Sequence, residues 1–246
     1  MRIGAAMALV AALALSGVGC RTGELFKQYE YEEDVYLSLD GSAIVYVNSS
    51  VAALDALRGA SFDTAPNATI DRDRLRAWFT TPVTHVPRRP TLSRREGRRF
   101  LHVRLDTDDV RSLSQAAPLA WSTYSFGQDG DLFGYRQVVG PPTGKAIGNA
   151  GWSGDEIVAF RLHLPSNVVD TNASAENHKR GNILVWEQSL RDRLHGEPLT
   201  LEARIESRSI LSRTLLLFGL TFLAVAVSFG FVLWWVLRGG RAKKAA

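Results

Sequence analysis

The stretch Thr214–Leu237 places 24 residues in a row without a single charge, and no other feature constrains the chain as strongly. As a helix it would span roughly 36 Å, against a hydrocarbon core of about 30 Å. Trp234 and Trp235 close the run, where indole rings favour a membrane interface, and Arg238, Arg241, Lys243 and Lys244 follow at once. The expectation is one transmembrane helix over 214–237, with Trp234, Trp235, Arg238 and Arg241 as interface anchors, then a basic cytoplasmic tail over 238–246. The competing reading is an apolar helix buried in a soluble core.

The other end is also apolar. Residues 1–19 carry Arg2, an apolar run from Ile3 to Leu15, and the small residues Ser16, Gly17 and Gly19 before Cys20, which is the pattern of a secretory signal. About 13 residues at ~1.5 Å each give roughly 20 Å, too short for a span. Cys20 is the only cysteine, so no intramolecular disulfide forms. The segment resembles a bacterial lipoprotein signal, in which the cysteine after the small residues becomes lipidated. Gly19 and Cys20 match it; Gly17 stands where leucine is usual, with Leu15 two places early. Acylation of Cys20 is the expectation, simple cleavage or an uncleaved anchor the alternatives. A signal that starts translocation and a second segment that stops it leave residues 21–206 as an extracytoplasmic domain on a single-pass cell-membrane protein.

A pI near 9.4 invites a nucleic-acid reading, but the placement of charge excludes it. Of 29 Lys and Arg, five lie at the ends as Arg2, Arg238, Arg241, Lys243 and Lys244; Arg21–Arg213 carries the other 24 against all 25 acidic residues. The basicity belongs to membrane flanks, whereas a binder of phosphate backbones carries its excess on the folded domain.

Within the domain, Val35, Leu37 and Leu39 alternate up to Asp40-Gly41, and Ile44–Val47 return, which predicts a hairpin. Val51, Leu54 and Leu57, then Leu75, Trp78 and Phe79, fall at helical spacing. Further strands are predicted over 100–105, 121–126, 132–139, 157–164, 168–172, 183–188 and 199–205, and a short helix over 108–115. This order predicts an α+β domain: a curved, mostly antiparallel sheet with two or three helices on one face, followed by the membrane helix. Residues 82–99, with Pro82, Pro87 and Pro90, predict a loop. It contains Arg88, Arg89, Arg94, Arg95, Arg98 and Arg99, the candidate contacts for an anionic surface; the bland alternative is a solvated connector.

No catalytic constellation emerges. His85, His102, His163, His178 and His195 form no metal-ligand spacing, and no Gly-x-Ser-x-Gly elbow is present. Asp129 and Asp131, or Asp106, Asp108 and Asp109, do not complete a calcium loop, and Gly144-Lys145 lacks the phosphate-loop frame. Neither a metal nor a cofactor is expected.

The region Ile157–Leu237, with Pro165-Ser166-Asn167-Val168-Val169, Gly181-Asn182-Ile183-Leu184-Val185-Trp186, a further strand and a terminal apolar helix, resembles the mycobacterial LppM-type lipoprotein domain. That resemblance implies a lipobox, an α/β ectodomain similar in outline to lipid-accommodating folds, and a C-terminal membrane helix; it carries over no catalytic residues. The function expected is a non-enzymatic envelope module contacting membrane lipids and binding a lipid, glycolipid or envelope protein. The alternatives are an envelope hydrolase assembled around His102 or His163 and a structural assembly factor. Oligomeric state is left open.

Overall fold

The computed structural model describes residues 27–65, 67–174, 179–208 and 210–242; the signal segment, Cys20 and the end of the basic tail lie outside them. The fold is mixed α+β. The first hairpin forms as its alternation predicts, β1 Tyr29–Leu37 with β2 Ala43–Ser50, turning at Gly41 with φ 90°. Ser50 caps α1, Val51–Arg58, by accepting from the Ala53 N–H, and Gly59 ends it in the left-handed region. Asp71 caps α2, Arg72–Phe79.

Residues 82–99 are not wholly loop, which corrects the sequence expectation. Thr91–Arg95 forms β3, paired in register with β4, Arg98–Thr107. Leu92 is the only apolar residue of β3 besides the threonine methyl, so alternation carries no signal there. The two-residue turn Glu96-Gly97 makes the strand instead, with φ of 50° and 76°, the positive pair that matches strand twist in tight hairpins.

A 3₁₀ turn over Val110–Gln115, capped by Asp109, stands where a short helix was predicted. It leads to the hairpin β5, Ser122–Asp129, and β6, Leu132–Val139. Then follow β7, Ile157–His163; β8, Val168–Thr171; β9, Lys179–Arg180; β10, Ile183–Ser189; α3, Leu190–Leu194; and β11, Leu199–Glu206. The strands divide into two sheets, β3-β4-β2-β1-β7-β10-β9 and β5-β6-β11-β8. All pairs are antiparallel except β1 with β7.

The inner faces meet. Val35, Leu37, Val45, Val47, Val103, Leu105, Phe160 and Leu162 from the larger sheet share one core with Phe126, Val139, Leu201, Ala203 and Ile205 from the smaller. α1 is buried along its whole length, including two charges. In register with Tyr31 and Val35, Glu33 also points inward and is 1% exposed. Its Oε1 accepts from the Tyr124 hydroxyl and the Gln137 amide, each at 3.0 Å. Its Oε2 accepts from the Tyr31 hydroxyl at 2.9 Å and from the Arg58 guanidinium at 2.5 Å. One carboxylate thus ties β1, α1, β5 and β6 together. Burial pushes the Tyr31, Tyr124 and Tyr135 hydroxyls well above the ordinary tyrosine range.

α4, Ile210–Ala242, contains Thr214–Trp235, 22 residues with mean hydropathy 2.5 and none of that span buried. Leu217, Phe218, Phe222 and Phe229 are all more than 60% exposed. This excludes the buried-core reading: the helix is long and apolar enough to cross a membrane, and the domain does not cover it.

Candidate functional site: an arginine hairpin

Folding β3 against β4 sets Arg94 opposite Arg99 and Arg95 opposite Arg98, and like charges directly opposite one another repel. The fold relieves one side of this. The Arg98 guanidinium turns inward to Glu30 at 3.0 Å, Glu96 at 3.2 Å and Glu156 at 3.8 Å, and donates to the Gly151 carbonyl. The Glu30 carboxylate also accepts from the Trp152 indole N–H at 3.0 Å. Burial raises the Glu30 pKa above its ordinary value despite these donors. Burial acts the same way on Glu156, but the backbone N–H groups of Ser153 and Gly154 and the charge of Arg98 outweigh it, and its pKa falls. Arg95 lies over the Phe100 ring at 4.0 Å, a cation–π contact that leaves the group exposed.

Arg94 and Arg99 take the opposite face. With Leu92 and Ser93 they line an open cleft of about 310 Å³. Arg99 also borders a wider cleft of about 490 Å³, formed by Ser50, Val51 and Ala52 at the start of α1, Asp63, Thr64 and the segment Ile147–Gly151. Of the other two predicted contacts, Arg89 pairs with Asp73 at 2.8 Å, a solvent-exposed pair of little energetic weight. Arg88 is exposed. The structure therefore gathers Arg94, Arg95 and Arg99 at one hairpin, spends Arg98 on internal carboxylates, and leaves Arg88 and Arg89 apart from them. Nothing in the sequence around Glu30 or Glu156 announces their partnership with Arg98; only the pairing of distant strands creates it.

The hairpin tip lies at a defined end of the sheet. Gln28 reaches Glu96 at 2.8 Å, so the described chain begins beside it. The other end holds the Gly41 turn, opposite Thr107, and the chain leading into α4: Glu206 N–H donates to the Asn167 carbonyl, Ser207 N–H to the Asp131 carbonyl, and the Ser166 hydroxyl to the Arg208 carbonyl. The ten residues of β4 separate the two ends by about 30 Å. That second end carries Asp40, Asp108, Asp109, Asp129 and Asp131, of which Asp109 pairs with Arg111 and Asp129 with Arg204.

The two histidines named for a hydrolase fall on the outer face of the large sheet. His102 sits between the Ser93 hydroxyl and the Asn48 carbonyl oxygen, 2.9 Å from each, and burial and Arg95 hold its pKa below the usual range. With Nδ1–H donated to Asn48, Nε2 accepts from Ser93. This falls short of a hydrolase site, because the serine is exposed on an edge strand, the third group is an amide, and the cleft is open to water. His163 stacks on Tyr36, with ring centres 3.8 Å apart, and not on a nucleophile. Among the described residues no group of three or more His, Cys, Asp or Glu gathers to hold a metal ion.

No family model matches the chain, and no curated protein matches it. Among solved structures, the NMR structure of the folded domain of Mycobacterium tuberculosis LppM is similar at 14% identity, covering 74% of this chain and 92% of that one, with a TM-score of 0.38.

Proposed function

We propose that this chain is a membrane-held binding module of the cell envelope. In this reading α4 crosses the membrane, the two-sheet domain stands on the extracytoplasmic side, and the β3–β4 hairpin engages the anionic groups of a lipid, glycolipid or envelope protein. The observation that carries it is the cross-strand arginine array: the hairpin sets Arg94 opposite Arg99, with the exposed Arg95 on the neighbouring position, and a negative group lying against such opposed like charges relieves their repulsion. The uncovered apolar face of α4 supports the membrane attachment.

Each arginine brought near an anionic surface contributes on the order of 1 kcal/mol, so Arg94, Arg95 and Arg99 together account for roughly 100-fold in affinity. The full chain, reconstituted in phosphatidylcholine vesicles, is mixed with separate vesicles containing phosphatidylglycerol. Association in low salt and release in high salt are expected, with loss of association when these three arginines become glutamine. Equal association of the wild type and the triple variant would sink the proposal.

A further inference from the structure

Around Trp121 the interior sets two guanidinium groups against one carboxylate. Arg58 and Arg193 are 4% and 0% exposed, and both guanidinium groups lie against the same indole. The Arg58 guanidinium carbon is 3.8 Å from the Trp121 ring centre and that of Arg193 is 5.2 Å from it. Glu33 meets Arg58. Among the described residues Arg193 has only neutral acceptors: the carbonyls of Gly140 and Glu197 and the Gln188 side chain. The other buried acids are engaged elsewhere, Asp55 with the Phe62 N–H and Glu30 and Glu156 with Arg98. Three buried donors around this one ring, Arg58 Nη1, Arg193 Nε and Trp121 Nε1, find no acceptor among the described residues. A buried cation without a counter-charge is strongly disfavoured, and an orphaned buried donor signals a missing partner.

We propose that the buried cluster at Trp121 is a binding site for a small monovalent anion, held by Arg58, Arg193 and the Trp121 indole N–H. One such charge balances the two arginines against Glu33 and supplies an acceptor to donors that lack one. Two like charges against one ring also account for the Arg193 guanidinium being drawn down to about 10 by burial and by Arg58, a cost that an anion removes. A halide and the carboxylate of a small acid share this chemistry. The site is independent of the arginine hairpin.

The test uses the full chain in neutral detergent at constant ionic strength. Thermal unfolding is followed in sodium chloride, bromide or formate and compared with gluconate, whose carboxylate sits on a chain too large to enter. A saturable rise of several degrees is expected with the small anions, and broadening of the ³⁵Cl resonance that bromide competes away. Response to halide alone assigns a free halide; response to formate alone assigns a carboxylate ligand. Arg193→Met removes both signals, whereas Arg136→Gln, at an exposed pair with Glu202, leaves them. If Arg193→Met does not fold, Trp121→Phe keeps the ring, drops one donor and weakens the response. A wild type whose midpoint and ³⁵Cl line are the same in every salt would overturn the proposal, as would a Trp121→Phe protein that responds as wild type.

Discussion

Removing Glu33 should damage this domain more than removing the arginine it pairs with, because the carboxylate is the shared acceptor and the arginine is one donor of four. In Arg58→Met the Glu33 carboxylate keeps Tyr31, Tyr124 and Gln137, so the loss is near the lower end of the ~3–5 kcal/mol typical of a broken buried pair. In Glu33→Leu the Arg58 charge is stranded at the same ~3–5 kcal/mol, and the Tyr31 and Tyr124 hydroxyls lose their acceptor for about 1–3 kcal/mol each. The Gln137 amide retains Ser122, so its loss is partial. The total, about 5–11 kcal/mol, is comparable with the whole stability of an ordinary domain, ~5–15 kcal/mol. At about 2–4 °C per kcal/mol for a domain of this size, Arg58→Met lowers the unfolding midpoint by roughly 10 °C, and Glu33→Leu lowers it further or abolishes the transition. The double variant removes charge and counter-charge together and is less damaged than Glu33→Leu alone. Near-ultraviolet circular dichroism of the full chain in detergent, with heating, reads all three. A Glu33→Leu protein more stable than Arg58→Met would refute the view of Glu33 as the hub.

Two further outcomes follow from the same packing. A Cβ at Gly144 would lie 1.9 Å from the Asp55 carbonyl oxygen and 2.3 Å from that of Ala56, both backbone atoms of a buried helix, so Gly144→Ala destabilises by about 2–3 kcal/mol or more, seen as a lowered thermal midpoint. At alkaline pH the buried tyrosines act as a linked load: their folded-state values lie above the unfolded one, with Tyr29 pushed up to about 12 by burial and then by Glu187. The stability they contribute is therefore complete below the unfolded value of about 10 and is lost as pH rises through the folded values. Phenolate absorbance should show Tyr31, Tyr124 and Tyr135 ionising only together with unfolding.

The strands that were legible in the sequence are those with one wet face and one dry face. Val35 and Leu37 against Asp34 and Tyr36 gave β1, and Leu101, Val103 and Leu105 against His102 and Arg104 gave β4. The edge strand β3 escaped because Leu92 is its one large apolar side chain and the other four are exposed, so nothing alternates; the Glu96-Gly97 pair is the signal available. Glu33 could have been found, since the period of two that places Tyr31 and Val35 inside also places it there. Arg58 and Arg193 could not, because each ends or sits in a short helix whose buried side is set by strands distant in sequence and by the other helix. In the sequence Gly144 stands out only as part of an incomplete phosphate loop, whereas its lack of a side chain serves the close approach to α1. That the sheet divides in two depends on which strand β11 pairs with, and no local pattern encodes that choice.

The chain comes into the domain beside Gln28 and leaves toward α4 past Glu206, at opposite ends of the strands. Tension applied between those two points would run along the strand axes and not across them. The ladder bonds stand nearly perpendicular to such a pull, so they would be loaded in shear and all at once, instead of being unzipped one at a time. β1 takes the load first, and it is bonded on both sides, with seven register pairs to β2 and seven to β7. A domain strung this way yields little when it is stretched along that line, so it would behave mechanically as a stiff element.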